Sequence, residues 1–315
     1  MATFSISDAL EAGFNVIRRR PVSLLAWGLV YFVLAVLPSA ALFSLVGGDI
    51  FEVFRTAGAG GRPEPDLESL VRVNSTLTLY QPIAFLAAIA GRAILTSAVF
   101  RAVLEPQNRG FFYLRLGKDE LWQALVFLCL YVLLFIAAFA MAMGGAAAGA
   151  VVWLLGGLAA APWAGVIRAV GLTAVVLTSV GALIWVGLRL SLAPPMTFAD
   201  RTFRLFESWT LTRGQGGRLF GLAVLILVVV LVIEMVVGAL GWAAVLGFGV
   251  DGGFDPHRFQ AFFQQPMEAW ISELLPAILA FSFLLSLVTA ALYAIVTAPW
   301  AVAYRQLGAP QTEGA

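Results

Sequence analysis

Of the 315 residues, 61% are hydrophobic and only 12% are charged, about half of the roughly 25% charged residues usual in soluble domains. A soluble chain of this length would need polar surface that this one lacks. Several of its apolar runs exceed the roughly 20 residues that cross a bilayer, and the net charge of +1 says less than how the charges are distributed.

The expected fold is all-α: a polytopic membrane bundle of six transmembrane helices with amphipathic helices on the cytoplasmic surface. It is read as one integral membrane domain over residues 1–315. Residues 4–18 fit a short amphipathic helix. Ser5 and Asp8 have capping-box spacing, although Asp replaces the usual Glu or Gln. Ile6, Leu10, Phe14 and Ile17 recur at helical spacing and predict its apolar face. Arg18, Arg19, Arg20 and Pro21 end it, and the first span covers 22–46. That run is long for the 7–15-residue core of a signal peptide, so an uncleaved span is expected.

Residues 47–75 form a polar connection with a Gly/Pro centre, in which Asp66 is placed to cap the next helix. The second span covers 80–104 and contains Arg92. A charged connection, 105–120, includes the weakly alternating stretch FFYLRLG. The third span starts near 121 and stays apolar to 155, too long for one untilted crossing. Gly145 and Gly149 in this run form a GxxxG, which permits close helix approach, either within the bundle or in a dimer. Cys129, the single cysteine, lies in the same run and reads as a small hydrophobe. The fourth span covers 166–192. The fifth covers 219–246 and holds Glu234. A second polar connection carries the only histidine, His257, before the last span at 271–304, which contains Pro276 and Pro299.

Six crossings put both termini on one side. With the N-terminus cytoplasmic, thirteen of the nineteen basic residues fall on that side and five on the other, Arg92 being counted with neither. The positive-inside rule then predicts cytoplasmic termini in a bacterial inner membrane. A repeat emerges from the same layout. Even-numbered spans end with an arginine followed five residues later by a proline: Arg101 and Pro106, Arg189 and Pro194, Arg305 and Pro310. Odd-numbered spans follow polar or amphipathic stretches. The chain reads as three degenerate units at about 4–106, 109–195 and 198–310, although arginines and prolines also gather at cytoplasmic helix ends without any repeat.

The third unit carries most information. After the break at Pro194 and Pro195, Phe203, Phe206 and Trp209 fall at helical spacing among Arg201, Arg204 and Glu207, with Arg213 following. Such a helix suits the headgroup region, where each arginine near anionic lipid contributes about 1 kcal/mol. A plain connecting helix whose charges fix topology fits the same residues.

The stretch RLSLAPP and then FRLFESWTLTRGQGGRLFGLAVL resembles the membrane domain associated with bacterial glycerophosphoryl diester phosphodiesterases, and related six-span inner-membrane proteins. The shared features are the arginine ending a span, the proline break, and Ser-Trp-x-Leu-Thr-Arg-Gly at 208–214. The resemblance is most specific over 189–225. It implies a membrane module without hydrolase chemistry. The sequence carries no soluble catalytic domain, and His257-Arg258 is followed by Phe259 rather than glycine.

The residues themselves agree. One histidine and one cysteine give no zinc cluster, and nucleophile-elbow, Walker and dinucleotide patterns are missing. Gly214, Gly216 and Gly217 suit a helix end and turn; no strand precedes them as a phosphate-binding loop would require. Arg92 and Glu234 remain as intramembrane charges, each costing about 2.5–3.5 kcal/mol on insertion scales. They are expected to pair inside the bundle, as a structural ion pair or as part of a solute or proton path.

The chain is therefore expected to be a non-enzymatic inner-membrane protein with no cofactor and no metal. Its expected partners are membrane lipids, a protein, or copies of itself, with no nucleic acid. The alternative is a small-solute transporter with a path near Arg92 and Glu234, which the absence of clearly matched broken spans disfavours.

Overall fold

A computed structural model describes residues 4–58, 67–160, 163–248 and 267–308. The described residues contain helices and turns and no strand. Six helical segments are long and apolar enough to cross a membrane: Pro21–Ile50, Leu70–Leu104, Gly110–Leu158, Trp163–Asp200, Gly216–Ala243 and Ile278–Gly308. The all-α, six-span membrane architecture expected from composition is the one observed. Asp66 and His257 lie outside the described residues.

In chain order, α1 is Ile6–Arg19 and the first crossing consists of α2 (Pro21–Tyr31), a π-helical turn (Phe32–Val36) and α3 (Leu37–Gly58). Then come α4 (Leu67–Leu104), α5 (Lys118–Leu158), α6 (Trp163–Leu190), α7 (Ala193–Asp200), α8 (Glu207–Leu211), α9 (Gly216–Phe248) and α10 (Met267–Gly308). The last is continuous through Pro276 and Pro299. Packing divides the chain into two compact units, one of Leu10–Arg115 with Val224–Ala298, the other of Met1–Ala9, Leu116–Ala223 and Pro299–Ala315.

The first unit closes around small residues. Ala290, Ala294 and Ala298 of α10 are fully buried with Trp27, Leu95, Val99 and Tyr113. These alanines recur every four residues and keep one face of α10 low, which lets neighbouring backbones approach closely. Gly13 of α1 uses that space: a Cβ there would lie 2.8 Å from Ile295 Cα. The buried face of α1 accordingly runs through Ala9, Gly13 and Val16, whereas Phe14 is 43% exposed. Close approach outweighs side-chain bulk, so the face is rotated from the one expected at Ile6, Leu10, Phe14 and Ile17. The N-cap is as expected, with Asp8 N donating to Ser5 Oγ at 3.3 Å.

Between α4 and α5 the weakly alternating stretch forms no strand. Phe111, Phe112 and Tyr113 take φ of 45°, 58° and 67°, the left-handed region that disfavours side chains by about 1–2 kcal/mol per residue. Buried donors hold this turn. Trp27 Nε1 donates to Phe112 O at 3.0 Å, Arg101 Nη1 donates to Tyr113 O, and the Arg20 guanidinium lies 5.4 Å from the centre of the Tyr113 ring.

In the second unit α5 and α6 form a long hairpin. A Cβ on Gly145 would meet Ser179 Oγ at 3.2 Å and one on Gly149 would meet Leu172 Cδ2 at 3.3 Å. The GxxxG face therefore packs on α6. The 41 residues of α5 make a helix of about 60 Å, and its first turns lie against α7, where Gln123 Nε2 donates to Pro194 O at 2.8 Å. The excess length of the third apolar run is used in this contact. Cys129 packs, partly buried, against Val126, Ala193 and Leu205.

Arginines stand near both ends of α6. Arg168 and Arg189 are 21 residues apart, about 32 Å of helix, which matches a hydrocarbon core of about 30 Å. Each rests on tryptophan: Arg168 lies 4.3 Å from the centre of the Trp153 ring and Arg189 lies 5.4 Å from that of Trp185. Aromatic residues gather at this level in membrane proteins.

Candidate functional site

The segment that joins α6 to α9 is more folded than its sequence pattern predicts. Pro194 and Pro195 begin α7 rather than simply breaking the chain, as proline does at first-turn positions where no amide is needed. Pro195, Met196, Thr197 and Phe198 are buried. The amphipathic helix expected over 200–212 is absent. Arg201 takes a left-handed φ of 52° and terminates α7. Residues 201–206 are non-helical, and only Glu207–Leu211 forms a further turn of helix. Thr197 fixes the excursion from below, since its Oγ1 accepts from Arg204 N at 3.1 Å and donates to Arg204 O at 3.0 Å.

Phe203, Phe206 and Trp209 consequently do not share a helical face. Phe203 packs against Val126, Ala193 and Leu205, while Phe206 is 66% and Trp209 38% exposed. The arginines also separate. Arg204 Nε is 2.8 Å from Asp200 Oδ2, and Asp200 accepts from the Tyr304 hydroxyl at 3.3 Å, so the Arg204 charge is compensated. Arg201 and Arg213 are exposed, as is Arg218.

The Ser-Trp-x-Leu-Thr-Arg-Gly motif has a physical reading here. Ser208 and Thr212 lie one helical turn apart, and both are fully buried. Ser208 Oγ donates to Arg189 O at 2.8 Å, and Thr212 Oγ1 lies 3.4 Å from the same oxygen. The last carbonyls of a helix have no partner within it, and the Ser208 hydroxyl supplies one to α6. Trp209, between them, meets Trp185 edge to face at 4.9 Å. The Arg189 guanidinium lies 5.9 Å from the Trp209 ring centre. Gly214, with φ 80°, turns the chain into α9.

These contacts leave a cleft of about 320 Å³ between α6 and α9. Gly181, Ile184, Trp185 and Leu188 form one wall, and Leu219 and Phe220 the other. Arg189 stands at one end beside Gly216, the first residue of α9, where the helix dipole adds partial positive charge. Arg189 Nη1 is buried and has no hydrogen-bond partner. The sequence pattern gave Arg189 only a role in topology; its i−4 neighbour Trp185 and the i,i+4 pair Ser208 and Thr212 were the available signals.

Arg92 and Glu234 are both exposed on their helices, and Arg92 is not without an interaction partner. Arg92 is nine residues from Arg101, about 14 Å of helix, and Glu234 is sixteen from Arg218, about 24 Å. Among the described residues, no group of three or more His, Cys, Asp or Glu is placed to hold a metal ion.

The fold and this site define a multi-pass all-α membrane protein with an arginine-ended apolar cleft between two spans. No family model matches the chain, and neither a curated protein nor a solved structure does.

Proposed function

We propose that the chain is a non-enzymatic module of the bacterial inner membrane, with cytoplasmic termini, that engages anionic lipid at its cytoplasmic surface. The observation that carries this reading is the linker between α6 and α9. Its arginines at 201, 213 and 218 are exposed, and Phe206, Trp209 and Phe220 are exposed beside them. A mixed arginine and aromatic surface at the end of two membrane spans suits the headgroup layer, where cations meet phosphates and rings sit at the interface. The thirteen-to-five distribution of basic residues supports the orientation. The resemblance over 189–225 fits a membrane module that does no hydrolysis itself.

The test is lipid enrichment. The full chain is reconstituted in nanodiscs of phosphatidylethanolamine and phosphatidylglycerol at 3:1, released gently, and its retained lipids are counted by native mass spectrometry. Phosphatidylglycerol is expected to be enriched over its bulk share, and the triple variant R201Q/R213Q/R218Q to lower that enrichment at least threefold. Equal enrichment for both proteins would overturn the reading. A stoichiometric protein retained in place of lipid would make the surface a protein-docking face instead.

A further inference from the structure

We propose that the cleft between α6 and α9 is a site for one glycerophospholipid, its phosphodiester on Arg189 and part of one acyl chain along the apolar walls. The proposal rests on the lipid-engaging reading and assigns it a specific pocket.

Three observations converge. The first is the unmet donor: Arg189 Nη1 is buried without a hydrogen-bond acceptor. A buried guanidinium nitrogen left unbonded is unfavourable, and an oxygen acceptor in the cleft would relieve it. The side chain is half-buried, with the Trp185 and Trp209 rings 5.4 Å and 5.9 Å from its guanidinium carbon. The second is the charge of the surroundings. The cleft opens beside Gly216 at the start of α9, where a long helix presents the positive end of its dipole, and no carboxylate lines it. Both features select an anion, and a phosphodiester presents the oxygens that guanidinium nitrogens bond best.

The third is depth. From Arg189 to Gly181 the cleft descends eight residues of α6, about 12 Å, against roughly 15 Å for one leaflet of hydrocarbon. Its walls along that path are apolar, and a Cβ on Gly181 would touch nothing within 4 Å. Polar at the interface and apolar below, the cleft has the polarity profile of a single lipid molecule in one leaflet. Its 320 Å³ is at the small end of ligand pockets, which run from about 300 to 1,000 Å³. It therefore holds the phosphate and part of one chain, with the headgroup outside. Selection is accordingly for the phosphodiester common to all glycerophospholipids.

The experiment uses the full chain in mixed phosphatidylethanolamine and phosphatidylglycerol nanodiscs, with native mass spectrometry at rising collision energy. The wild type is expected to keep one phospholipid, of either headgroup, after all others have left. G181L adds a side chain to the cleft at a position where a Cβ meets nothing within 4 Å, and R189M removes the donor while the backbone carbonyl that receives Ser208 remains. Each is expected to reduce the retained species at least tenfold. R201Q/R213Q/R218Q is expected to keep it, which separates this site from the exposed surface. If the surface variant loses the last lipid while G181L and R189M keep it, the surface reading stands and the pocket is refuted. If every protein releases all lipid together, or a free fatty acid added at equal concentration is retained in place of phospholipid, the proposal also fails.

Discussion

Ser208 is the residue on which the cap of α6 depends most, and the geometry ranks it against Thr212. Both hydroxyls approach Arg189 O, Ser208 at 2.8 Å and Thr212 at 3.4 Å. A hydroxyl has one proton to give. Thr212 Oγ1 also lies 2.8 Å from Ser208 O, a backbone oxygen within its own turn, so its proton goes there and the longer approach adds little. Ser208 Oγ therefore supplies the real bond to the end of α6. Replacing Ser208 with alanine removes the donor to a part-buried carbonyl, a loss of about 1–3 kcal/mol. Thr212→Val keeps the shape and removes only a local bond, about 0.5–1.5 kcal/mol. The two are in contact, so the double variant should fall short of additivity. Thermal unfolding in mild detergent, followed by emission from the nine tryptophans, reads stability, and the difference between each variant and its W209F counterpart reads the local contact. S208A should unfold at the lower temperature and shift the emission to the red. Equal or greater loss from T212V would refute the assignment of the donor.

Glycines supply a second, oppositely signed comparison. Gly13→Ala drives a methyl to 2.8 Å from Ile295 Cα, backbone that cannot rotate away, and overpacking of this kind costs about 1–3 kcal/mol. Gly144→Ala meets nothing within 4 Å and is expected to be neutral or to gain up to about 1 kcal/mol of helix propensity; chemical unfolding of both variants checks the signs. Gly214→Ala places a Cβ at φ 80° and should destabilise by about 1 kcal/mol, measured the same way. Arg101→Met removes the buried donor to Tyr113 O and should release the left-handed turn, visible as faster tryptic cleavage after Arg109 and Arg115. The expected pairing of Arg92 with Glu234 is tested by a charge swap: exchanging both should restore more than about 0.5 kcal/mol of the stability that either single swap loses, and no restoration would refute the pair.

Much of this architecture could be read without coordinates because the bilayer imposes long apolar runs, and those runs are visible as composition. The six spans, their order, and the cap at Ser5 are local or nearly local properties. The π turn at Phe32–Val36 and the left-handed turn at Phe111–Tyr113 are not. The latter depends on Arg101 and Trp27, which stand far away in sequence from Phe112 or on another helix. The rotated face of α1 escaped for a similar reason: hydrophobicity favours Phe14, but the low alanine face of α10 admits Gly13 more closely than any bulky side chain. At the linker, helical spacing of Phe203, Phe206 and Trp209 was a true pattern with the wrong cause. Phe203 is drawn down by Val126 and Leu205, and Arg201 breaks the helix that the spacing implied.

The three arginines that end the even-numbered spans show where chemistry would concentrate. Arg101 is 1% exposed and donates a hydrogen bond to Tyr113 O, so its place is structural. Arg305 is exposed and can be hydrated by water at the end of α10. Arg189 is half-buried, but its Nη1 is buried and unbonded, and two tryptophans lie beside the guanidinium. The protein could have compensated it at modest expense, since Asp200 compensates Arg204 only a few residues away. Instead the adjoining surface is apolar down to Gly181 and open beyond it. Packing alone needs no such arrangement, because a methionine in that position would pack on the same rings without an unmet donor. The unmet donor is explained when an anion from outside the chain completes it, and at this depth the abundant anion is the lipid phosphate.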